Sequence, residues 1–280
     1  MTVFDQLTAD LTPRYGHSEA RSIARIVFED AFGTKSYSEK KFNPEEATIF
    51  ADIRARLLRG EPVQYVVGQA AFFGSMFRVS PAVLIPRQET EELVDWALQI
   101  LKTLHSATPK ILDIGTGSGC IPIILKKQWP QAELTATDIS HDALEIAQEN
   151  AQQHDVFVHF QANNILDREG WATLPEFDLI VSNPPYIPRS EAELMPDWVK
   201  DHEPHLALFV LDEQPLLFYE TIADFALEKL RPGGALLFEC NEFNAKKVHH
   251  LLFEKGFSGV ELRRDLLGKP RMVGGWQSSQ

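Results

Sequence analysis

Two short segments of this 280-residue chain combine residue types that can do chemistry together. One is Asn183-Pro184-Pro185-Tyr186, which follows the apolar run Phe177-Asp178-Leu179-Ile180-Val181-Ser182. The other is the glycine-rich turn Asp113-Ile114-Gly115-Thr116-Gly117-Ser118-Gly119, which follows Ile111-Leu112. An amide or exocyclic amine is planar, and its nitrogen lone pair is delocalised. Such a nitrogen attacks a methyl group only when held in line with the bond that breaks. The side-chain oxygen of Asn183 and the carbonyl of Pro184 can accept hydrogen bonds from an NH₂ group and favour its developing positive charge. Pro184 and Pro185 stiffen the loop, so that geometry stands before substrate arrives. Tyr186 offers a ring face on which a planar group can stack. No strong base is required, because the proton can leave after the methyl group arrives. The implied reaction is methyl transfer to an amide or exocyclic amine nitrogen.

The glycine turn supplies the other half. Gly115, Gly117 and Gly119 let the backbone bend sharply and approach a ligand closely, with Thr116 and Ser118 between them. Asp138 ends the next expected strand, about 20 residues on, where a carboxylate can accept hydrogen bonds from ribose hydroxyls. Dinucleotide-binding chains share the loop and the acid. Their glycines read G-x-G-x-x-G, however, and here the third glycine comes one residue sooner. The D-x-G-x-G-x-G form is similar to that of class I S-adenosylmethionine-dependent methyltransferases.

These segments need a scaffold, and the hydrophobic pattern supplies one. From residue 110 onward strands are expected at 110–114, 133–138, 156–161, 177–182, 234–240 and 258–263, with helices such as 141–153 and 243–255 between them. Such alternation favours a parallel sheet covered by helices on both faces. The run Arg271-Met272-Val273-Gly274-Gly275-Trp276 is expected to add an edge strand. Upstream, the first 60 residues read as helices. One starts near Ser18, with Ile23, Ile26, Val27 and Ala31 at helical spacing. Another starts at Asn43-Pro44-Glu45-Glu46, an N-cap followed by proline and acids, and runs to Gly60. Residues 64–85, including Tyr65, Val66 and Val67, are expected to be extended and to form a hairpin around Gly74-Ser75. Ile85 to Glu92 then opens a helix through Leu93, Ala97 and Leu101.

Composition is that of an ordinary globular chain, with 44% apolar and 24% charged residues. No run approaches the length of a transmembrane helix. The first residues lack a basic segment followed by an apolar one, so no secretory signal is expected. Cys120 and Cys240 lie far apart and make no metal or redox spacing. A cytoplasmic location fits. The net charge is −13, yet residues 1–85 carry ten basic and ten acidic side chains. All the excess acid therefore lies in residues 86–280, an unfavourable surface for phosphates and a favourable one for a basic protein partner. The acid-rich stretch Glu191 to Glu203, with His202 and His205, has no defensible metal spacing, so no metal is expected. Arg87 and Glu89 can serve either the site or ordinary ion pairs at a helix start.

In combination these segments resemble the release-factor glutamine N5-methyltransferases. Gly60-Glu61-Pro62-Val63-Gln64-Tyr65 is similar to the family's pre-hairpin segment. Phe72-Phe73-Gly74 and Val83-Leu84-Ile85-Pro86-Arg87-Gln88-Glu89-Thr90-Glu91 are similar to its linker and PRPETE signature, with Gln88 in place of the usual proline. Glu203-Pro204 with Ala207-Leu208, and Asp265-Leu266-Leu267-Gly268 with Arg271, resemble later family segments. The resemblance implies an α/β class I (Rossmann-like) methyltransferase domain over residues 86–280. It also implies a small helical substrate-docking domain over 1–70 and a β-hairpin linker over 71–85. The cofactor it implies is S-adenosylmethionine, leaving as S-adenosylhomocysteine. The substrate it implies is the glutamine of the Gly-Gly-Gln motif in class I peptide release factors, held by Asn183, Pro184, Pro185 and Tyr186. Gly115, Thr116, Gly117, Ser118, Gly119 and Asp138, with Asn183, are implied to hold the cofactor. Asn163 and Asn164 stand where the family has an Asp and an apolar residue, and Asn163 can still pair with adenine. Asn241 stands near a usual glycine and tolerates positive φ.

Two other readings remain. The same chemistry serves a glutamine in a ribosomal protein or an adenine in nucleic acid, since adenine also presents a planar NH₂. A non-catalytic cofactor-binding or assembly protein could use the same fold, against which Asn183 and Pro184 argue. The expected enzyme is a monomer that uses neither membrane nor nucleic acid.

Overall fold

The structure is a computed structural model that describes residues 1–104 and 106–278. Four α-helices come first among the described residues, α1 (Val3–Tyr15), α2 (His17–Ile26), α3 (Pro44–Leu58) and the short α4 (Val63–Val67), with a π-helical turn at Val27–Ala31 continuing α2. Helix α3 begins as its sequence dictates. Asn43 Oδ1 accepts the Glu46 N–H at 2.9 Å, and the Glu46 carboxylate accepts the Asn43 N–H at 3.1 Å. Helix α2 starts at His17, after Gly16, so Ser18 lies inside its first turn rather than at its cap. Phe4, Leu7, Leu11, Ile23, Phe28, Ile53 and Leu57 form a separate core for these helices.

The segment 63–67 departs from expectation: it is helical, not extended. Tyr-Val-Val favours strands by propensity, but Tyr65 and Val66 are both buried and Gly68 ends the turn in the left-handed region. Packing and a glycine C-cap override the local preference. The hairpin is confined to β1 (Gln69–Phe72) and β2 (Ser75–Arg78).

Beyond it follow α5 (Gln88–Leu101), β3 (Lys110–Ile114), α6 (Cys120–Gln128), β4 (Glu133–Asp138), α7 (His141–Gln153), β5 (His159–Ala162) and β6 (Phe177–Ser182). Next come β7 (Ile187–Pro188), α8 (Asp197–Lys200), α9 (His205–Leu208) and β8 (Phe209–Val210). The chain ends with α10 (Leu217–Lys229), β9 (Leu230–Glu239), α11 (Ala245–Glu254), β10 (Ser258–Arg264) and β11 (Pro270–Trp276). Among the described residues, seven strands form one sheet in the order β10-β11-β9-β6-β3-β4-β5. The five from β9 to β5 run parallel, whereas β11 is antiparallel to both β9 and β10. The 271–276 run is therefore an inner strand and not an edge; β10 takes the edge. Strand β5 starts later than expected, and β9 starts earlier, at Leu230.

Alternation along the strands loads both faces. Ile111, Leu179, Val181 and Leu237 pack with α5 and α6, while Leu112, Ile180, Leu236 and Phe238 pack with α10 and α11. Strand order reverses between β3 and β6, and a cavity opens outside their carboxyl ends.

Candidate active site

The cavity is lined by Gly115 to Ser118 after β3, Asp138 to Ser140 after β4, Asn163 to Leu166 after β5, and Ser182 to Pro185 after β6. Each set lies at a strand end, so the parallel sheet itself brings segments far apart in the chain to one edge. Ser182 Oγ donates to the Ile114 carbonyl at 2.7 Å and ties the two central strand ends together.

The glycines do what their spacing implies. Gly115, Gly117 and Gly119 have φ of 75°, 53° and 78°, all in the region that side chains avoid. A Cβ on Gly115 or Gly117 would meet nothing within 4 Å, whereas one on Gly119 would lie 3.0 Å from Ala147 Cβ. The first two glycines thus present bare backbone to the cavity, and the third lets α6 pack on α7. Gly119 is not among the cavity-lining residues.

Asp138 is held on both oxygens. Oδ2 accepts the Gly117 N–H and Oδ1 accepts the Ser140 N–H, each at 2.9 Å. Burial raises its pKa, against the pull of these backbone donors. A carboxylate oxygen has lone pairs beyond one hydrogen bond, so Asp138 can still accept from two ribose hydroxyls. Asp113 lies beneath the glycine loop. It is fully buried, neither of its oxygens has a hydrogen-bond partner, and Thr116 Oγ1 has none either. Burial pushes Asp113 up to about 7, opposed by the nearby Thr116 hydroxyl and aided by the Asp138 carboxylate. A cradle of bare backbone beside a carboxylate that can accept ribose hydroxyls fits a nucleoside cofactor. S-adenosylmethionine is such a molecule.

Asn163 N–H donates to the Asp138 carbonyl at 3.0 Å, and its side-chain amide donates to the Gly170 carbonyl at 3.3 Å. Asn164 accepts the Leu166 N–H at 3.1 Å, so its amide shapes the turn at the cavity rim. On the acceptor side, Asn183 Nδ2 lies 3.3 Å from Thr90 Oγ1, and Thr90 donates to the Glu239 carboxylate at 2.6 Å. Pro184 and Pro185 line the cavity, whereas Tyr186 packs against the Tyr219–Phe238 side of the core. Burial raises the Tyr186 phenol, with Glu239 adding to the effect.

Sequence reasoning did not single out Thr90, Glu239, Phe218 or Ile222. Thr90 sits inside the PRPETE-like stretch, which was the available signal; Glu239 lies 149 residues from it and had none. Arg87 proves to be a strap. It pairs with Glu203 at 2.5 Å, and Glu203 also accepts the Ile85 N–H at 3.3 Å. Burial raises the Glu203 carboxyl in spite of Arg87. This pair pins the segment before α5 to the α8–α9 region, so Glu203 is structural glue. Among the described residues no three His, Cys, Asp or Glu side chains form a group able to hold a metal ion.

Comparison with known proteins places the chain. The family model described as the methyltransferase small domain matches residues 91–206. A release factor glutamine methyltransferase of Flavobacterium psychrophilum is 44% identical over 78% of this chain and 76% of its own length. One from Bacteroides thetaiotaomicron is 45% identical over 78% and 77%. One from Bordetella pertussis is 38% identical over 99% of this chain and 100% of its own. The fold is shared with solved structures that are far more distant. A Thermus thermophilus 16S rRNA N2 G1207 methyltransferase, in complex with AdoMet and guanosine, superposes with a TM-score of 0.54 at 19% identity, over 75% of this chain and 49% of its own. A Pyrococcus furiosus methyltransferase does so with a TM-score of 0.52 at 18% identity, over 85% and 100%. The architecture is that of the Rossmann-like S-adenosylmethionine-dependent methyltransferases, and by its relatives the chain belongs to the release factor glutamine methyltransferase family.

Proposed function

We propose that this enzyme methylates the side-chain amide nitrogen (N5) of the glutamine in the Gly-Gly-Gln motif of class I peptide release factors. The observation that carries the proposal is the meeting of Asn183-Pro184-Pro185 and the glycine loop in one cavity. S-adenosylmethionine, when bound, supplies an electrophilic methyl group on a sulfonium. Everything else is done by side chains and backbone of the chain. Gly115 to Ser118 accommodate the cofactor against bare backbone, Asp138 accepts its ribose hydroxyls, and Asn163 and Asn164 border its adenine. Asn183 Oδ1 and the Pro184 carbonyl accept the two N–H groups of the glutamine amide, which aims the nitrogen lone pair at the methyl group. Tyr186 stiffens the loop from behind. The proton lost from nitrogen needs no strong base, since the methylated amide is very acidic until it loses it.

The helical unit over residues 1–70, joined through the 71–85 hairpin segment to the catalytic unit over 86–280, docks the release factor. The enzyme acts as a monomer in the cytoplasm, without membrane or nucleic acid. No helix among the described residues is long and apolar enough to cross a membrane.

The test is transfer of label from S-adenosylmethionine to purified release factor, beside a Gly-Gly-Ala variant of its motif. Label on the wild-type factor alone is the expected result. No label on either, with cofactor binding intact, would move the acceptor to a ribosomal-protein glutamine or an adenine.

A further inference from the structure

We propose that Thr90 and Glu239 are positioning residues that fix which way the Asn183 amide faces, and so keep its oxygen available to the substrate nitrogen. The inference rests on the reading of Asn183 as the residue that holds the acceptor. Three elements meet in it: Thr90 in the first turn of α5, Asn183 just after β6, and Glu239 at the end of β9. Thr90 and Glu239 are 4% and 2% exposed, so water does not replace either partner.

A hydroxyl has one proton to give. The 2.6 Å contact with the Glu239 carboxylate takes it, as the stronger, charge-assisted bond. What Thr90 then presents to Asn183, 3.3 Å away, is a lone pair that accepts only N–H. The amide nitrogen of Asn183 is thereby committed to Thr90, and its oxygen is left as the group that can meet an incoming NH₂. In the opposite polarity Asn183 would offer its own NH₂ to the substrate NH₂, donor against donor.

Ionised Glu239 sets this polarity. Burial pushes it up to about 7, opposed by the Thr90 hydrogen bond and by Arg271 and Arg87, while Glu89 adds to the rise. Tyr219, whose hydroxyl donates to the Glu239 carbonyl, is held neutral by burial, as are the neighbouring Tyr186, Cys240 and Cys120. Below pH 7 Glu239 takes up a proton and can donate to Thr90. The Thr90 proton is then free to turn on Asn183 Oδ1, and the productive polarity is lost on the acid side.

The experiment is the pH profile of kcat at saturating S-adenosylmethionine and release factor. It is run on the wild type, Thr90→Val, Thr90→Ser, Glu239→Gln and Asn183→Ala, each with its cofactor affinity and melting temperature. Wild-type kcat is expected to fall on the acid side with a midpoint near 7. Thr90→Val should lose roughly 3- to 10-fold at pH 8, the scale of one neutral hydrogen bond, together with the acid limb. Glu239→Gln has no proton to gain and should lack that limb. Thr90→Ser keeps the hydroxyl and should retain both limb and most turnover. An unchanged acid limb in Glu239→Gln, or wild-type kcat in Thr90→Val, overturns the proposal. If Thr90→Val does not fold, the Glu239→Gln profile and Thr90→Ser decide it. Turnover that survives Asn183→Ala overturns the acceptor reading itself. Collapse there, beside wild-type profiles for Thr90→Val and Glu239→Gln, overturns the relay alone.

Discussion

Asp138 shows how a single side chain can serve the fold and the ligand at once. Its two oxygens each receive a backbone N–H, from Gly117 and Ser140. In Asp138→Asn one oxygen becomes an NH₂ group, and one of those backbone donors then faces a donor. The glycine loop loses its anchor where the cofactor must bind, which is why affinity rather than chemistry should suffer. The expected dissociation constant for S-adenosylmethionine rises about 10- to 100-fold, or about 1.4–2.8 kcal/mol. The value of kcat at saturating cofactor should stay within about 3-fold. Titration calorimetry reads the first and steady-state kinetics the second; an unchanged affinity would assign the ribose to another group. Asp138 was legible because strand, glycine loop and acid follow one another at fixed spacing within one βαβ unit. Thr90 and Glu239 were not, because their pairing exists only once α5 and β9 are packed side by side.

At the level of elements, the same three-glycine loop separates packing from binding. Gly119 has positive φ, and a methyl group there would also press on Ala147 Cβ at 3.0 Å and Ile123 Cδ1 at 3.1 Å. Gly119→Ala should therefore destabilise the folded protein by about 2–4 kcal/mol, backbone strain and overpacking together. Gly115→Ala has open space around the new methyl, so it should cost only the strain, about 1–2 kcal/mol, while weakening cofactor binding. Urea unfolding of the two variants beside cofactor titrations separates the effects, and equal destabilisation would show that the α6–α7 contact is slack. The strands at 110–114, 133–138 and 177–182 were readable because apolar or alternating residues are closed by glycine, proline or a polar turn, whereas β5 begins three residues after the expected 156. The inner place of β11 was not, since it depends on the long-range register Met272↔Glu239 rather than on anything local. The helix at 63–67 was hidden for a related reason: burial of Tyr65 and Val66 outweighs the strand preference of their own side chains.

Over the whole molecule, the two cores are joined by specific polar ties rather than by a bare linker. Tyr65 Oη donates to the Val83 carbonyl at 2.6 Å. Buried Asn150 accepts the Arg78 N–H at 2.7 Å and donates to the Arg78 and Ser118 carbonyls at 3.0 and 2.9 Å. One side chain on α7 thus fastens the hairpin, and through it the chain that leads to the helical unit, to the glycine loop. That arrangement suits a substrate that is itself a folded protein, which must be gripped at a distance from the glutamine that reacts. Binding energy gathered far from the reacting atoms then aligns them. The helical unit and hairpin together, residues 1–85, carry no net charge, and the excess acid belongs to the catalytic unit. Removal of residues 1–62 keeps Tyr65 and its tie to Val83 while taking away α1 to α3. The truncated enzyme should show KM for an intact release factor raised about 10-fold or more. Its affinity for S-adenosylmethionine, and its kcat/KM for a short Gly-Gly-Gln peptide, should stay within about 3-fold of the full chain. Docking through the helical unit predicts this split, because the peptide never used that surface. A parallel loss on factor and peptide would instead mean that the unit only stabilises the catalytic core.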